Sequence, residues 1–456
     1  MRGEGPRWSE ADAERRLRSL ELFGMRFGLD RMRRMMTALS SPERSFESIQ
    51  VLGTNGKTST TRMIAAILAR HGVRTGTYTS PHLVSWRERV QLDGRELDAE
   101  RFARAVAHAS AAAERVNRTL EPDDHVTQFE LVTAAALWEM AERDVEVAVV
   151  EAGLGGRYDA TSVIEPAVTV LTNVGLEHTR WLGPTITHNA EEKLAVVPHD
   201  GTLGLGADLA APALAVAERV ARERGATVLR AQARSPVPVL RAAGAFQRRN
   251  FALARVAAEA HLGARGIAVR AEAVAEAAAD TAIDGRLQVL GGEPVTILDS
   301  AHNPDAVAAL LEALPEVRPP GPLALVLGVL EDKDAASMLG ALLGACERAW
   351  FTAPPSSRAL SPAALQSLAR QLSFDAVELD PHPAAALSRA REWALANGGS
   401  VLATGSVYLV GDLLAAAQGG EGTVRQPDAG ASGADTRAVR SGNVALGRAG
   451  QRRPRS

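Results

Sequence analysis

The chain has 456 residues, 46% apolar and 23% charged, an ordinary globular composition with length enough for two or three domains. Its 54 acidic and 51 basic residues leave a formal charge of −3, which argues against nucleic acid or an anionic membrane as partner and points to small molecules. Cys346, the single cysteine, excludes an internal disulfide and a thiolate metal cluster. No apolar run approaches the roughly 20 residues of a membrane span, and Glu4, Glu10, Asp12 and Glu14 interrupt any leader pattern, so the cytoplasm is the expected location.

Of the 51 basic residues only three are lysine: Lys57, Lys193 and Lys333. In a chain so biased toward arginine, the surviving lysines are expected where a compact amine is required.

In chain order, the first clear unit is a strand over 48–52, a Gly-rich turn, and a helix over 59–71 that buries Met63, Ile64, Ile67 and Leu68 and closes at Gly72 as C-cap. Further strands are expected at 145–150 and 167–171, then a second series at 295–298, 323–327, 348–351, 376–379 and 401–404. Short β-branched runs alternating with helical patterns predict parallel sheet flanked by helices, without an internal repeat. The tail over 418–456 has seven arginines against three acids and no apolar periodicity, and is expected to be disordered.

The segment Gly53-Thr54-Asn55-Gly56-Lys57-Thr58-Ser59 follows a predicted strand and opens a helix, where backbone N–H groups and the helix dipole cradle phosphates. The usual spacing G-x-x-x-x-G-K-[ST] is not met, because position 51 is valine; this is a shorter variant. Gly53 and Gly56 allow close backbone approach, Lys57 reaches for the β/γ-phosphates, and Thr58 and Ser59 offer hydroxyls to phosphate or metal. The bland alternative, a tight turn capped by Thr58 or Ser59, does not account for a lysine in a chain that avoids lysine.

Glu151 ends the 145–150 strand and opens the run Gly153-Leu154-Gly155-Gly156-Arg157-Tyr158-Asp159, which places a carboxylate where α/β sheets bind ligands. The next strand leads into Thr172-Asn173 and then Glu177-His178. Glu151 and His178 suit Mg²⁺ beside phosphates, although histidine is an unusual magnesium ligand and a hydrogen-bonded structural histidine stays open. Lys193, beside Glu191 and Glu192, reads from spacing alone as either a surface lysine or a site residue. The second series carries Asp284-Gly285-Arg286-Leu287 and then Asp299-Ser300-Ala301-His302-Asn303-Pro304, with Asn303-Pro304 starting a helix. Asp299 is a nucleotide or substrate candidate, or an ordinary capping residue.

Together these segments resemble the folylpolyglutamate synthase and dihydrofolate synthase family of the Mur ligase superfamily. The resemblance runs over about 17–417 and rests on FGLDRM (27–32), GTNGKTST (53–60), TSPHLVSWRERV (79–90), TQFE (127–130), EAGLGGRYDAT (151–161), EHTRWLGPTI (177–186), AEEK (190–193), QRRN (247–250), DGRLQ (284–288), DSAHNPDA (299–306), LEDKD (330–334) and TGSVYL (404–409). It implies an α/β fold with an N-terminal P-loop ATPase-type domain built on a parallel sheet (1–284), a smaller C-terminal Rossmann-like α/β domain (285–417), and the tail (418–456). The implied activity is ATP-dependent addition of L-glutamate to a pteroate or folate carboxylate through an acyl phosphate, by a monomer.

By matching positions, the resemblance implies that Gly53, Thr54, Asn55, Gly56, Lys57, Thr58, Ser59, Asn250, Arg286 and Asp299 bind ATP. Ser80, Glu151 and His178 would ligate Mg²⁺, and Lys193, carbamylated in this family, would ligate a second Mg²⁺, a role arginine cannot take. Lys57, Lys193 and His302 are the catalytic candidates. Thr127, Gln128, Phe129 and Glu130, with Tyr158, Asp159 and Ala160, match segments that contact the pterin; Phe129 stacks on the ring or belongs to the core. Closure about 280–290 would complete the site.

The sequence departs from the family pattern at Thr58, where glycine is usual, at Ala152, at Leu194-Ala195-Val196, and over 230–246, which is short enough to lack a hairpin. The leading expectation is a bifunctional dihydrofolate and folylpolyglutamate synthase. Thr58 suggests as alternative a ligase acting on a cell-wall precursor. An ATP-dependent folate sensor without turnover is a third reading, against which Glu151, His178 and Lys193 argue, since binding alone needs no two-metal site.

Overall fold

The computed structural model describes residues 8–20, 28–176, 179–232 and 237–418. His178, Phe27 and residues 419–456 of the expected tail lie outside them.

The first sheet holds β1 (Glu47–Leu52), β2 (Thr75–Tyr78), β3 (Val90–Leu92), β4 (Arg95–Glu96), β5 (Val147–Glu151), β6 (Val168–Leu171), β7 (Thr202–Leu205) and β8 (Thr227–Arg230), in the order β4-β3-β2-β5-β1-β6-β7-β8. Pairing is parallel from β2 to β8, and only β3 and β4 run antiparallel at one edge. The second sheet holds β9 (Gln288–Leu290), β10 (Thr296–Leu298), β11 (Leu323–Leu327), β12 (Arg348–Phe351), β13 (Val377–Leu379) and β14 (Ser400–Thr404), in the order β13-β12-β11-β14-β10-β9, antiparallel only between β9 and β10.

Helices cover both faces of each sheet, as parallel sheets require. On one face of the first sheet, Ile49, Val51, Val147 and Val149 pack against Met63, Ile64, Ile67 and Leu68 of the helix Lys57–Arg70 and against Phe251 and Leu253 of the helix Ala245–Ala264. Burial of each such large side chain stabilises by about 1.5–3 kcal/mol. Ala254, Ala257 and Ala258 let the two helices approach closely. Ala148 and Val150 point to the other face, which Phe102, Leu131 and Leu137 cover.

The helix expected over 59–71 begins two residues earlier, because Gly56 at φ +82° turns the chain directly into it. At its other end Gly72, at φ +84°, donates to Ala69 O while Val73 donates to Leu68 O, a Schellman closure that places the glycine one residue beyond the cap, His71. Strands β2, β7 and β8 escape the periodicity reading because each is four residues long and carries Thr or Gly where a strand signal needs apolar side chains. Between β8 and the helix Ala245–Ala264, the described residues form no strand.

Arg31, on the helix Asp30–Ala38, ties this helix to the helix Gln128–Glu142. Its Nε lies 3.0 Å from both oxygens of Glu130, and Nη1 donates to Asp124 at 2.9 Å. Removing one partner of a buried ion pair leaves an uncompensated charge, typically worth about 3–5 kcal/mol. Arg31→Met is expected to lower the urea midpoint accordingly, and the double variant Arg31→Met with Glu130→Gln to recover most of the loss. A midpoint unchanged in the single variant would show the pair to be energetically idle.

Candidate active site

The carboxyl end of β1 releases the phosphate loop. Gly53, at φ +147°, passes so close to Thr172 that a Cβ would overlap its hydroxyl, and a Cβ on Gly56 would lie 2.5 Å from Asn250 Oδ1. Residues just past β6 fasten the loop: Asn173 Oδ1 accepts from Asn55 N–H at 2.9 Å, Thr172 Oγ1 donates to Asn55 O at 2.7 Å, and Gly175 N–H donates to Thr54 Oγ1 at 2.9 Å. Lys57 folds back over the loop, with Nζ 3.1 Å from Gly53 O and 3.0 Å from Thr54 O.

Glu151, at the end of β5 beside β1, is 2% exposed. Its carboxylate accepts from Thr58 Oγ1 at 2.9 and 3.0 Å and from Ser80 N–H at 3.1 Å. Burial raises its pKa, and the nearby charges of Lys57 and Arg286 only partly oppose this. Lys193, 4% exposed, reaches the loop from the helix Ile186–Leu194, its Nζ donating to Gly53 O at 3.0 Å. Gly156 lies against the backbone of Glu192 and Lys193 with no room for a side chain, which is how the Gly-Gly run positions that helix.

The second sheet supplies the opposite wall. Asp299, just past β10, accepts from Leu287 N–H at 2.9 Å and Ala301 N–H at 2.8 Å; burial raises its pKa and Arg286 opposes the shift. His302 places Nδ1 2.8 Å from Ser300 O, a geometry that requires the proton on Nδ1. One cleft is lined by the phosphate loop, Ser80, Glu151, Lys193, Arg286 and His302. It continues past Asn55, Gly56 and Arg286 into a hollow that Asn250 and Asp299 line. Lys333 also faces the cleft, so every lysine of the chain lines it.

A Mur ligase middle-domain family model matches residues 51–199, and a Mur ligase glutamate ligase domain model matches 285–407. The chain is 35% identical over 421 residues to a probable bifunctional folylpolyglutamate synthase/dihydropteroate synthase of Haloferax volcanii, covering 86% of this chain but 49% of that one, so it spans about half that relative's length. To the dihydrofolate synthase/folylpolyglutamate synthase of Bacillus subtilis it is 30% identical over 423 residues, covering 86% of this chain and 95% of that one. The chain belongs to the folylpolyglutamate synthase and dihydrofolate synthase family. A solved bifunctional folylpolyglutamate synthase/dihydrofolate synthase with Mn, AMPPNP and L-glutamate bound is also similar, with a TM-score of 0.77, 27% identity, and coverage of 91% of this chain and all of that one.

In this member of the synthase family, most of the residues expected at the pterin are engaged by partners within the protein. Thr127 and Glu130 cap each other across the start of the helix Gln128–Glu142, and both Glu130 oxygens also meet Arg31. Gln128 donates to Leu17 O at 3.0 Å, Ala160 is buried, and Asp159 accepts from Leu154 and Thr161 N–H groups. Phe129 stands against Gly153, and Tyr158 is 47% exposed. His178 lies outside the described residues, among which no cluster of three or more His, Cys, Asp or Glu is placed to hold a metal. The loop-fastening roles of Thr172, Asn173 and Gly175 went unread from sequence; a polar pair directly after a parallel strand was the available signal.

Proposed function

We propose that this chain is an ATP-dependent amide ligase that joins L-glutamate to dihydropteroate and to tetrahydrofolate or its glutamylated forms, releasing ADP and phosphate. The observation that carries the reading is one cleft uniting Lys57, Glu151 and Lys193 from the first sheet with Arg286, Asp299 and His302 from the second.

An acceptor carboxylate oxygen attacks the γ-phosphorus of ATP as its bond to ADP breaks; the glutamate amine then attacks the acyl carbon, loses a proton, and phosphate departs. Every step gathers negative charge, so the site must supply fixed positive charge. The loop N–H groups and Lys57 hold the phosphates, while Arg286 and Asp299 hold the nucleotide from the other wall. Glu151 fits a divalent cation: it is a buried carboxylate whose direct partners are a hydroxyl and an N–H, with no ion pair to it among the described residues. Glu151, with Ser80 and His178, would hold such an ion, Mg²⁺ in this reading, which would supply charge neutralisation for the phosphates when bound. Lys193, buried against the loop, is the site proposed for carbamylation, in which its neutral amine adds one CO₂ and releases one proton, leaving a carboxylate-like group that would serve as a ligand for a second Mg²⁺.

Both walls come from one chain, and a monomer is proposed. Among the described residues no helix is long and apolar enough to cross a membrane. The single thiol, buried Cys346, suits a reducing compartment, and the cytoplasm is the proposed location.

The test is mass spectrometry of the full chain with ATP, Mg²⁺ and L-glutamate, run separately on dihydropteroate and tetrahydrofolate. The expected result is a one-glutamate mass increase on both, with one phosphate released per addition. A gain on one substrate assigns a single activity; no gain on either overturns the reading and moves the acceptor to another carboxylate.

A further inference from the structure

The middle of the phosphate loop is joined to the second domain by a reciprocal pair of side-chain amides. Asn303 Nδ2 donates to Asn55 Oδ1 at 3.0 Å, and Asn55 Nδ2 donates to Asn303 Oδ1 at 3.3 Å, although 248 residues separate the two. Asn303 is 6% exposed and caps the helix Pro304–Ala313, its Oδ1 also accepting from Ala306 N–H at 2.9 Å. The backbone of Asn55 is fixed from the other side by Thr172 and Asn173. Beside the pair, Gly175 meets the first turn of the same helix so closely that a Cβ would lie 2.6 Å from Asp305 Oδ2.

Neither residue needs an amide for its local task. A phosphate loop binds anions through backbone N–H groups, for which the side chain at 55 is immaterial. A helix cap works equally well with Ser or Asp. A side chain carrying one donor and one acceptor on both partners is required only by the reciprocal pair.

We infer that Asn303 is a positioning residue which, through Asn55, sets the phosphate loop against the second domain. Nucleotide in the loop and alignment of Arg286, Asp299 and His302 are then one coupled event. The inference rests on the proposed function only in taking the loop as the nucleotide site.

The experiment is a double-mutant cycle on the full chain, with ADP affinity measured by calorimetry in the absence of any folate. Asn303→Ser keeps a good cap but is too short to reach Asn55, so its Tm is expected within a few degrees of the parent. Should the serine variant fold poorly, Asn303→Asp keeps the cap and presents a carboxylate to Asn55 Oδ1 instead. Either variant is expected to weaken ADP about tenfold, or about 1.4 kcal/mol, the size of a typical net hydrogen bond. Asn55→Ser is expected to cost at least as much, and the double variant less than about twofold more than Asn55→Ser alone. Multiplying losses, or unchanged affinity in the Asn303 variants, would overturn the coupling. Because no acceptor is present, the cycle stands even if ligation to folates fails, and ligation stands even if the cycle is additive.

Discussion

Replacing Lys57 by alanine is expected to lower kcat for glutamate ligation by about 10³-fold, at the upper end of what removing one preorganised donor costs. The amine sits 3.1 and 3.0 Å from two carbonyl oxygens of its own loop, so it is held above the phosphate cradle before any ligand arrives. Arginine keeps the charge but spreads it over a planar fork in place of a compact amine. Lys57→Arg is therefore expected to recover less than about a tenth of the activity. Lys57 is only partly buried and lies in the first turn of its helix, so neither variant should shift the Tm by more than a few degrees. Steady-state phosphate release, read with the Tm, checks both variants; Lys57→Ala activity within tenfold of the parent would remove Lys57 from the chemistry.

Glu151→Gln is expected to separate stability from activity. Burial raises the folded-state pKa of Glu151 above its ordinary 4.5. The folded chain thus binds this proton more tightly than the unfolded chain, and the contribution of Glu151 to stability falls as pH rises from 4.5 through the raised value. At neutral pH without metal, the ionised carboxylate is a cost that an uncharged amide of the same shape avoids. The variant should therefore melt higher than the parent at pH 7 in a chelator, and lose at least about 10²-fold in activity. Adding Mn²⁺ or Mg²⁺ should raise the parent's Tm and leave the variant's nearly unmoved. An equal metal-induced shift in both proteins would show that the cation is held elsewhere.

The phosphate loop was legible because its chemistry is local: two glycines, a lysine and a strand-to-helix junction within seven residues. Glu151 and Asp299 were legible because each stands at the carboxyl end of a strand with a parallel partner, where α/β sheets bind ligands. Less visible was which way a polar side chain turns. Glu130 and Asp159 sit in recognisable motifs, yet their oxygens serve helix starts and a buried arginine, partners that lie far away in sequence or on the backbone. Lys193 read equally well as a surface residue, since its burial depends on Gly156 and on the loop 140 positions earlier. The inner strands β2 and β7 were hidden for a related reason: a sheet that is covered on both faces can bury Thr and Gly as readily as Val.

Because arginine does not react as an amine, the gathering of all three lysines around one cleft gives this chain an unusual chemical signature. Apart from the α-amino group, an acylating or reductively alkylating reagent finds its targets only where catalysis is proposed. Lysine modification thus becomes a footprint of the cleft, readable by peptide mapping. The same scarcity leaves almost the whole outer surface inert to lysine-directed crosslinkers and immobilisation chemistries. A preparation attached through its amines would consequently be tethered by its terminus or inactivated.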